Sequence, residues 1–121
     1  MKLKVTKSRS LPQFYVDALC MLELFDRSTC SLSKDQIIVF KHEVSIHMVH
    51  LAELLKRSYK TQDKSLKTNY MAEALELLDK IELRIELMLN VGLLSKGSSV
   101  DILKYIAVLR SQMIGFLKSI N

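Results

Sequence analysis

From Phe14 onward the chain returns to apolar residues at steps of three and four. Phe14, Ala18, Leu22 and Phe25 recur in this way, with Leu11, Tyr15, Leu19 and Met21 beside them. That spacing lines one face of a helix. A second stripe runs through Ile37, Phe40, Val44, Met48, Leu51 and Leu55, and a third collects Tyr70, Ala74, Leu77, Leu78, Ile81, Ile85 and Met88. Within the third, the stretch 81–87 alternates apolar and polar residues as a half-buried strand would. It reads better as helix, because Leu, Glu and Arg favour helices, no turn signal precedes it and the flanking helical period runs through it. At about 100° per residue, Leu83 and Leu87 then fall opposite Ile81 and Ile85.

The boundaries of these segments carry their own signals. Ser10 offers an N-cap to the first helix, with Pro12 in the first turn and Gln13 three residues after the cap. Ser33 and Gln36 repeat the pattern before the second stripe, and polar residues from Ser58 to Ser65 mark a short connection. Gly92 suits the left-handed position that ends the third helix, with Leu93 packing back over its last turn. Ser98 or Ser99 then caps a fourth helix, and Asp101 in its first turn suits the helix dipole. The expected helices span about 11–28, 34–61, 64–91 and 99–120, forming one domain over 10–121 behind a basic tail over 1–9. Short connections bring neighbours together antiparallel, so the expected fold is an all-α, up-down-up-down four-helix bundle.

With 121 residues and 49% hydrophobic content, the chain has enough material for one core. Its apolar runs, such as 102–109, are broken by charge well before the ~18 residues a membrane span needs, so no membrane partner is expected. The basic start is followed by Asp17, Glu23 and Asp26 in place of a signal-peptide apolar segment, which makes a soluble, cytoplasmic protein the expectation. Cys20 and Cys30 form no CxxC pair or zinc-type cluster and read as reduced thiols.

Charge changes the picture once the topology is drawn. In an up-down bundle the tail, the second connection and the C-terminus share one end. That end gathers Lys2, Lys4, Lys7 and Arg9 from the tail, Lys56, Arg57, Lys60, Lys64 and Lys67 from around the connection, and Lys118 from the last helix. Asp63 is the one acidic residue among them, whereas the middle of the third helix carries Glu73, Glu76, Asp79, Glu82 and Glu86. The net charge of +5 and a pI near 9.3 therefore understate the local field. Clustered cations bind a nucleic-acid backbone by releasing its condensed counterions, although the same pattern also serves as a solubilising surface. Only Tyr59 and Tyr70 flank the cluster and the chain has no Trp, which favours backbone or shape recognition over base stacking.

Catalytic chemistry is scarce. Glu43, His47, His50 and Glu53 share a helix, but the Glu-x-x-His motifs of di-metal bundles are missing, so no metal or cofactor is expected. No glycine-rich phosphate loop and no nucleophile beside a base can be identified, and an enzyme is not expected. More informative are Val16, Cys20, Leu83, Leu87, Leu103, Ala107 and Ile114, which extend past the arc that one core would bury. Scattered surface apolar residues are ordinary, but self-association explains this set better. Gly115, in an otherwise helix-forming run, costs about 1 kcal/mol relative to Ala, for which close helix approach is a reason.

The stretches IELRIELMLNVGLLS and YIAVLRSQMIGFLKSI, with Gly92, Leu93, Leu94, Ser95, Gly115, Leu117, Lys118 and Ser119 as their elements, resemble a known family of four-helix bundles. It comprises the accessory variability proteins of diversity-generating retroelements and small proteins encoded by intervening sequences of bacterial large-subunit ribosomal RNA genes. The resemblance covers roughly the last sixty residues, with helix lengths agreeing over the rest. It implies a homopentamer with a positively charged surface that binds RNA or DNA, and, in retroelements, association with a reverse transcriptase and its template RNA. The family often has a Pro-Lys turn and an Arg near the start of the second helix. Here the turn is DRSTCSLSKDQ, and Lys41 and His42 stand where the basic residue would be sought. Two readings follow: a nucleic-acid-binding accessory of a reverse transcriptase, or an intervening-sequence-type or orphan bundle devoted to protein assembly, its charge serving solubility.

Overall fold

The structure, a computed structural model, describes residues 11–120. Among the described residues there are helices and no strands. Helix α1 spans Gln13–Ser28. Helix α2 covers 34–60 and is built of α-helical Lys34–Gln36, a π-helical turn Ile37–Lys41 and α-helical His42–Lys60. Helices α3 and α4 span Lys64–Asn90 and Lys96–Ile120.

Pro12 precedes α1, and its carbonyl accepts from the N–H groups of Tyr15 and Val16 at 3.1 and 3.3 Å. The serine expected to cap this helix, Ser10, lies outside the described residues. At the far end buried Thr29 donates its hydroxyl to the Phe25 carbonyl at 2.8 Å, which satisfies an acceptor the helix end would otherwise leave open.

Helix α2 opens on the expected capping box. The Gln36 N–H donates to the Ser33 hydroxyl at 3.2 Å, and the Ser33 N–H donates to the Gln36 side chain at 3.0 Å. The turn that follows was not legible from periodicity. The His42 N–H reaches back five residues to the Ile37 carbonyl, so this turn holds one residue more than an α-helical turn. Ile37 thereby leaves the line of the stripe and is 37% exposed, while Phe40 packs on the core and Val44, Met48, Leu51 and Leu55 are buried. Ile37 is thus a correction to the expected core, caused by a period that changes inside the helix.

Asp63 caps α3, its carboxylate accepting from the Ser65 and Leu66 N–H groups at 2.8 and 3.1 Å. The helix ends as its sequence predicts. Gly92 takes φ +81°, its N–H donates to the Leu89 carbonyl at 3.1 Å, and the Leu93 N–H donates to the Met88 carbonyl at 2.8 Å. Leu93 packs against the core and Leu94 is buried. The next helix starts earlier than expected because Ser95, rather than Ser98 or Ser99, is its cap. The Ser98 N–H donates to the Ser95 hydroxyl at 3.0 Å, while buried Ser99 sits in the first turn and donates its own hydroxyl to the Ser95 carbonyl at 2.8 Å.

Helix α1 packs against α2 and α4, α2 against α3, and α3 against α4. Between them lies one core. Met21 and Phe25 from α1 meet Met48, Leu51 and Leu55 from α2, Leu78, Ile81 and Ile85 from α3, and Ile102, Ile106 and Leu109 from α4, all fully buried. Among the described residues no helix is long and apolar enough to cross a membrane.

The glycines offer a direct test of this backbone. Gly92→Ala forces a left-handed conformation on an L-residue and should lower the unfolding free energy by about 1–2 kcal/mol. Gly97 lies in the first turn of α4 and an added Cβ meets nothing within 4 Å, so Gly97→Ala should raise it, by less than the ~1 kcal/mol of a mid-helix site. Urea denaturation of the two variants checks both signs.

Candidate nucleic-acid interface

Four helix ends meet in one place. The Ser58 hydroxyl at the end of α2 donates to the Lys67 carbonyl in α3 at 3.1 Å. Tyr15 of α1 and Tyr59 of α2 have ring centroids 5.7 Å apart, and Phe14 of α1 meets Phe116 of α4 edge-on at 5.2 Å. The Lys67 ammonium lies 5.6 Å from the centre of the Phe116 ring. Apolar and aromatic contacts therefore fix the start of α1, the end of α2, the start of α3 and the end of α4 relative to one another.

Lys56, Arg57, Lys60 and Lys64 project from this junction as exposed side chains, and Lys118 is exposed on the last turns of α4. Among the described residues none of these five forms an ion pair with a carboxylate. Lys67 is different. It is half-buried, and its ammonium donates to the carbonyls of Ser58 and Tyr59 at 3.1 and 3.4 Å. A cation there satisfies the open acceptors at the end of α2 and suits that helix's dipole. Its ammonium is held by the protein's own carbonyls rather than offered to solvent. Lys2, Lys4, Lys7 and Arg9 lie outside the described residues.

Along the sides of the bundle several carboxylates are paired. Arg110 of α4 donates to Asp79 and Glu82 of α3 at 2.8 and 2.7 Å. Burial opposes the charge on Arg110, but its hydrogen bonds to the two carboxylates outweigh this and hold its pKa above the usual value. Glu43 of α2 pairs with Arg84 of α3, Asp26 with Lys41 at 3.2 Å, and His50 lies 3.7 Å from Glu73. Exposed pairs of this kind add little stability. Among the described residues, none of these pairs involves a cation of the junction.

The residues expected to join copies separate into distinct places. Leu83 and Leu87 are 67% and 43% exposed on the outer face of α3, as the helical reading of 81–87 requires. Leu103 joins them along a groove with Glu86 and Leu89, yet it is only partly exposed and packs on the core. Ala107 and Ile114 line another groove on α4 with Ser111 and Gly115. An added Cβ at Gly115 meets nothing within 4 Å, so no helix of this chain approaches it closely. Val16 and Cys20 are half-buried on α1.

Cys20 lines an open cleft between α1 and α4 with Asp17, Glu23, Arg27, Lys104 and Tyr105. Burial, then the charges of Asp17 and Glu23, push its thiol pKa up, which disfavours the reactive thiolate. Burial likewise raises Tyr105. Both cysteines are free. Among the described residues no three His, Cys, Asp or Glu side chains are grouped to hold a metal ion.

Periodicity missed a further apolar surface on α2. Ile38 and Val39 are 62% and 60% exposed, and Ile46 and Val49 line a shallow groove with His42, Ser45, His50 and Glu53. The signal was present for Ile46 and Val49, which fall beside the line through Val44, Met48 and Leu51. No protein-family model matches the chain, and no curated protein matches it.

The two kinds of lysine at the junction should behave differently. Lys67→Met removes a charged donor from two carbonyls and should cost about 1–3 kcal/mol of stability. Lys60→Gln should leave the denaturation midpoint unchanged.

Proposed function

We propose that this protein is a non-catalytic nucleic-acid-binding accessory, built as an antiparallel up-down-up-down bundle and working as a homo-oligomer in the cytoplasm. The observation that carries this reading is the concentration of exposed, unpaired cations, Lys56, Arg57, Lys60 and Lys64, where four helix ends meet. The meeting of those ends supports the antiparallel arrangement. Lysine and arginine held on rigid helix ends can place several charges on a phosphate backbone at once, and each such contact releases counterions. They position a backbone without reading its sequence.

Oligomerisation is supported by the outward leucines Leu83 and Leu87. The number of copies, five, follows from the family resemblance, as does a reverse transcriptase with its template RNA as the partner. Repetition of the basic end around a closed ring converts modest single-site contacts into avidity. A bundle that only assembles, without a nucleic-acid role, is the competing reading.

Replacing Lys56, Arg57, Lys60 and Lys64 together by Gln should keep helicity and oligomeric state and abolish retention of RNA and DNA in a mobility-shift assay. Each phosphate contact removed should flatten the dependence of log K on log salt by about 0.9 for duplex DNA. Unchanged retention would favour the assembly-only reading. Leu83→Glu combined with Leu87→Glu should dissociate the copies, read by light scattering, without loss of the helical circular dichroism signal.

A further inference from the structure

His47 sits on α2 one turn beyond Glu43, in a groove completed by Lys80, Leu83, Arg84 and Leu87 of α3. Its Nδ1 is fully buried and has no hydrogen-bond partner. Leu83 and Leu87 form the rim of this groove and are also the residues read above as the contact between copies. A second copy that covers the leucines therefore covers the imidazole.

We propose that His47 makes assembly depend on pH: the neutral ring lets a second copy close over Leu83 and Leu87, and protonation releases it. This inference rests on the reading of those leucines as the self-association surface.

The groups around the ring set the direction. Glu43 and His50 act on it from α2, and Arg84 and Lys80 from α3, while α1, the other helix packed on α2, contributes no charge to that set. The one carboxylate, Glu43, is already paired with Arg84. A proton on His47 would either leave a buried N–H without an acceptor beside two cations or draw Glu43 away and strand the guanidinium. Both are more costly once water is excluded, because an unpaired charge loses far more on burial than a neutral ring does.

Within the single chain, burial holds the His47 pKa below the usual value of 6.5, with Arg84, Lys80 and His50 adding to the effect and Glu43 opposing it. Assembly buries the ring further and lowers the pKa again. Separated chains then bind more protons than assembled ones, so association is at full strength above the ordinary histidine range and weakens as pH falls below it. Each unit by which assembly lowers the pKa corresponds to about a tenfold change in the association constant per contact.

Sedimentation velocity of the full chain at pH 7.5 and 5.0, at constant ionic strength and with helicity followed by circular dichroism, tests this. The expected result is an oligomer at pH 7.5 that shifts toward single chains at pH 5.0 while the helices persist. His47→Gln should stay assembled at both values, and His50→Gln should shift like the parent. An oligomer equally stable at both pH values, or a shift that survives in His47→Gln, overturns the role of His47 and leaves the assembly reading intact. Single chains at pH 7.5 overturn the assembly reading itself, and this inference with it. Loss of helicity at pH 5.0 without prior dissociation also counts against the proposal, since protonation would then act on the fold and not on the contact.

Discussion

Four apolar stripes that can be dried only against one another govern this molecule. None of the helices could bury its own face, and each finds two neighbours: α1 lies against α2 and α4, and α3 closes the circuit between α2 and α4. The interior that results is filled by branched residues from α3 and α4 and by several unbranched methionines, Met21, Met48, Met71, Met88 and Met113, whose flexible side chains adapt to irregular gaps. Once these inner faces are committed, every other property of the protein has to be written on what remains outside.

Part of what remains outside is paired between neighbouring helices. Asp79 and Glu82 stand three residues apart, hence on one face, and together grip Arg110 on the next helix. Glu43 and Arg84 do the same between α2 and α3. These pairs hold acids and bases of neighbouring helices in mutual contact at mid-height. The junction of helix ends has no such arrangement, because its aromatic rings and the Ser58–Lys67 link leave the surrounding lysines free of protein partners among the described residues.

The sequence made the greater part of this fold legible because the core-facing period is regular and the stop signals are chemically distinct. Gly92 could be assigned a left-handed role from its context, and Leu83 could be placed on an outer face by angular arithmetic alone. The failures share a cause. The π-helical turn alters the period without any residue that announces it, and Ile37 was misplaced for that reason. Ser95, Ser98 and Ser99 are equally good caps on composition, and only the tight turn at Gly92 chooses among them. The candidate site was legible as a list of cations but not as a division of labour, since nothing in the residue type separates Lys67, anchored to carbonyls, from Lys60, which points to solvent.

The π-helical turn also determines where the chain can change length. An extra residue in a regular helix rotates everything before it by about 100° and would carry a whole stripe off the core. Here the additional residue is accommodated between the capping box at Ser33 and Gln36 and the first fully buried position, Val44. Removing one residue from Ile37–Lys41 would restore an α-helical turn and swing the cap, the loop ahead of it and the core contacts of Leu32 and Phe40, while Val44, Met48, Leu51 and Leu55 kept their places. The helix thus carries a slip joint ahead of its buried stripe, where a change of length is absorbed by the outer edge of the core and not by its centre.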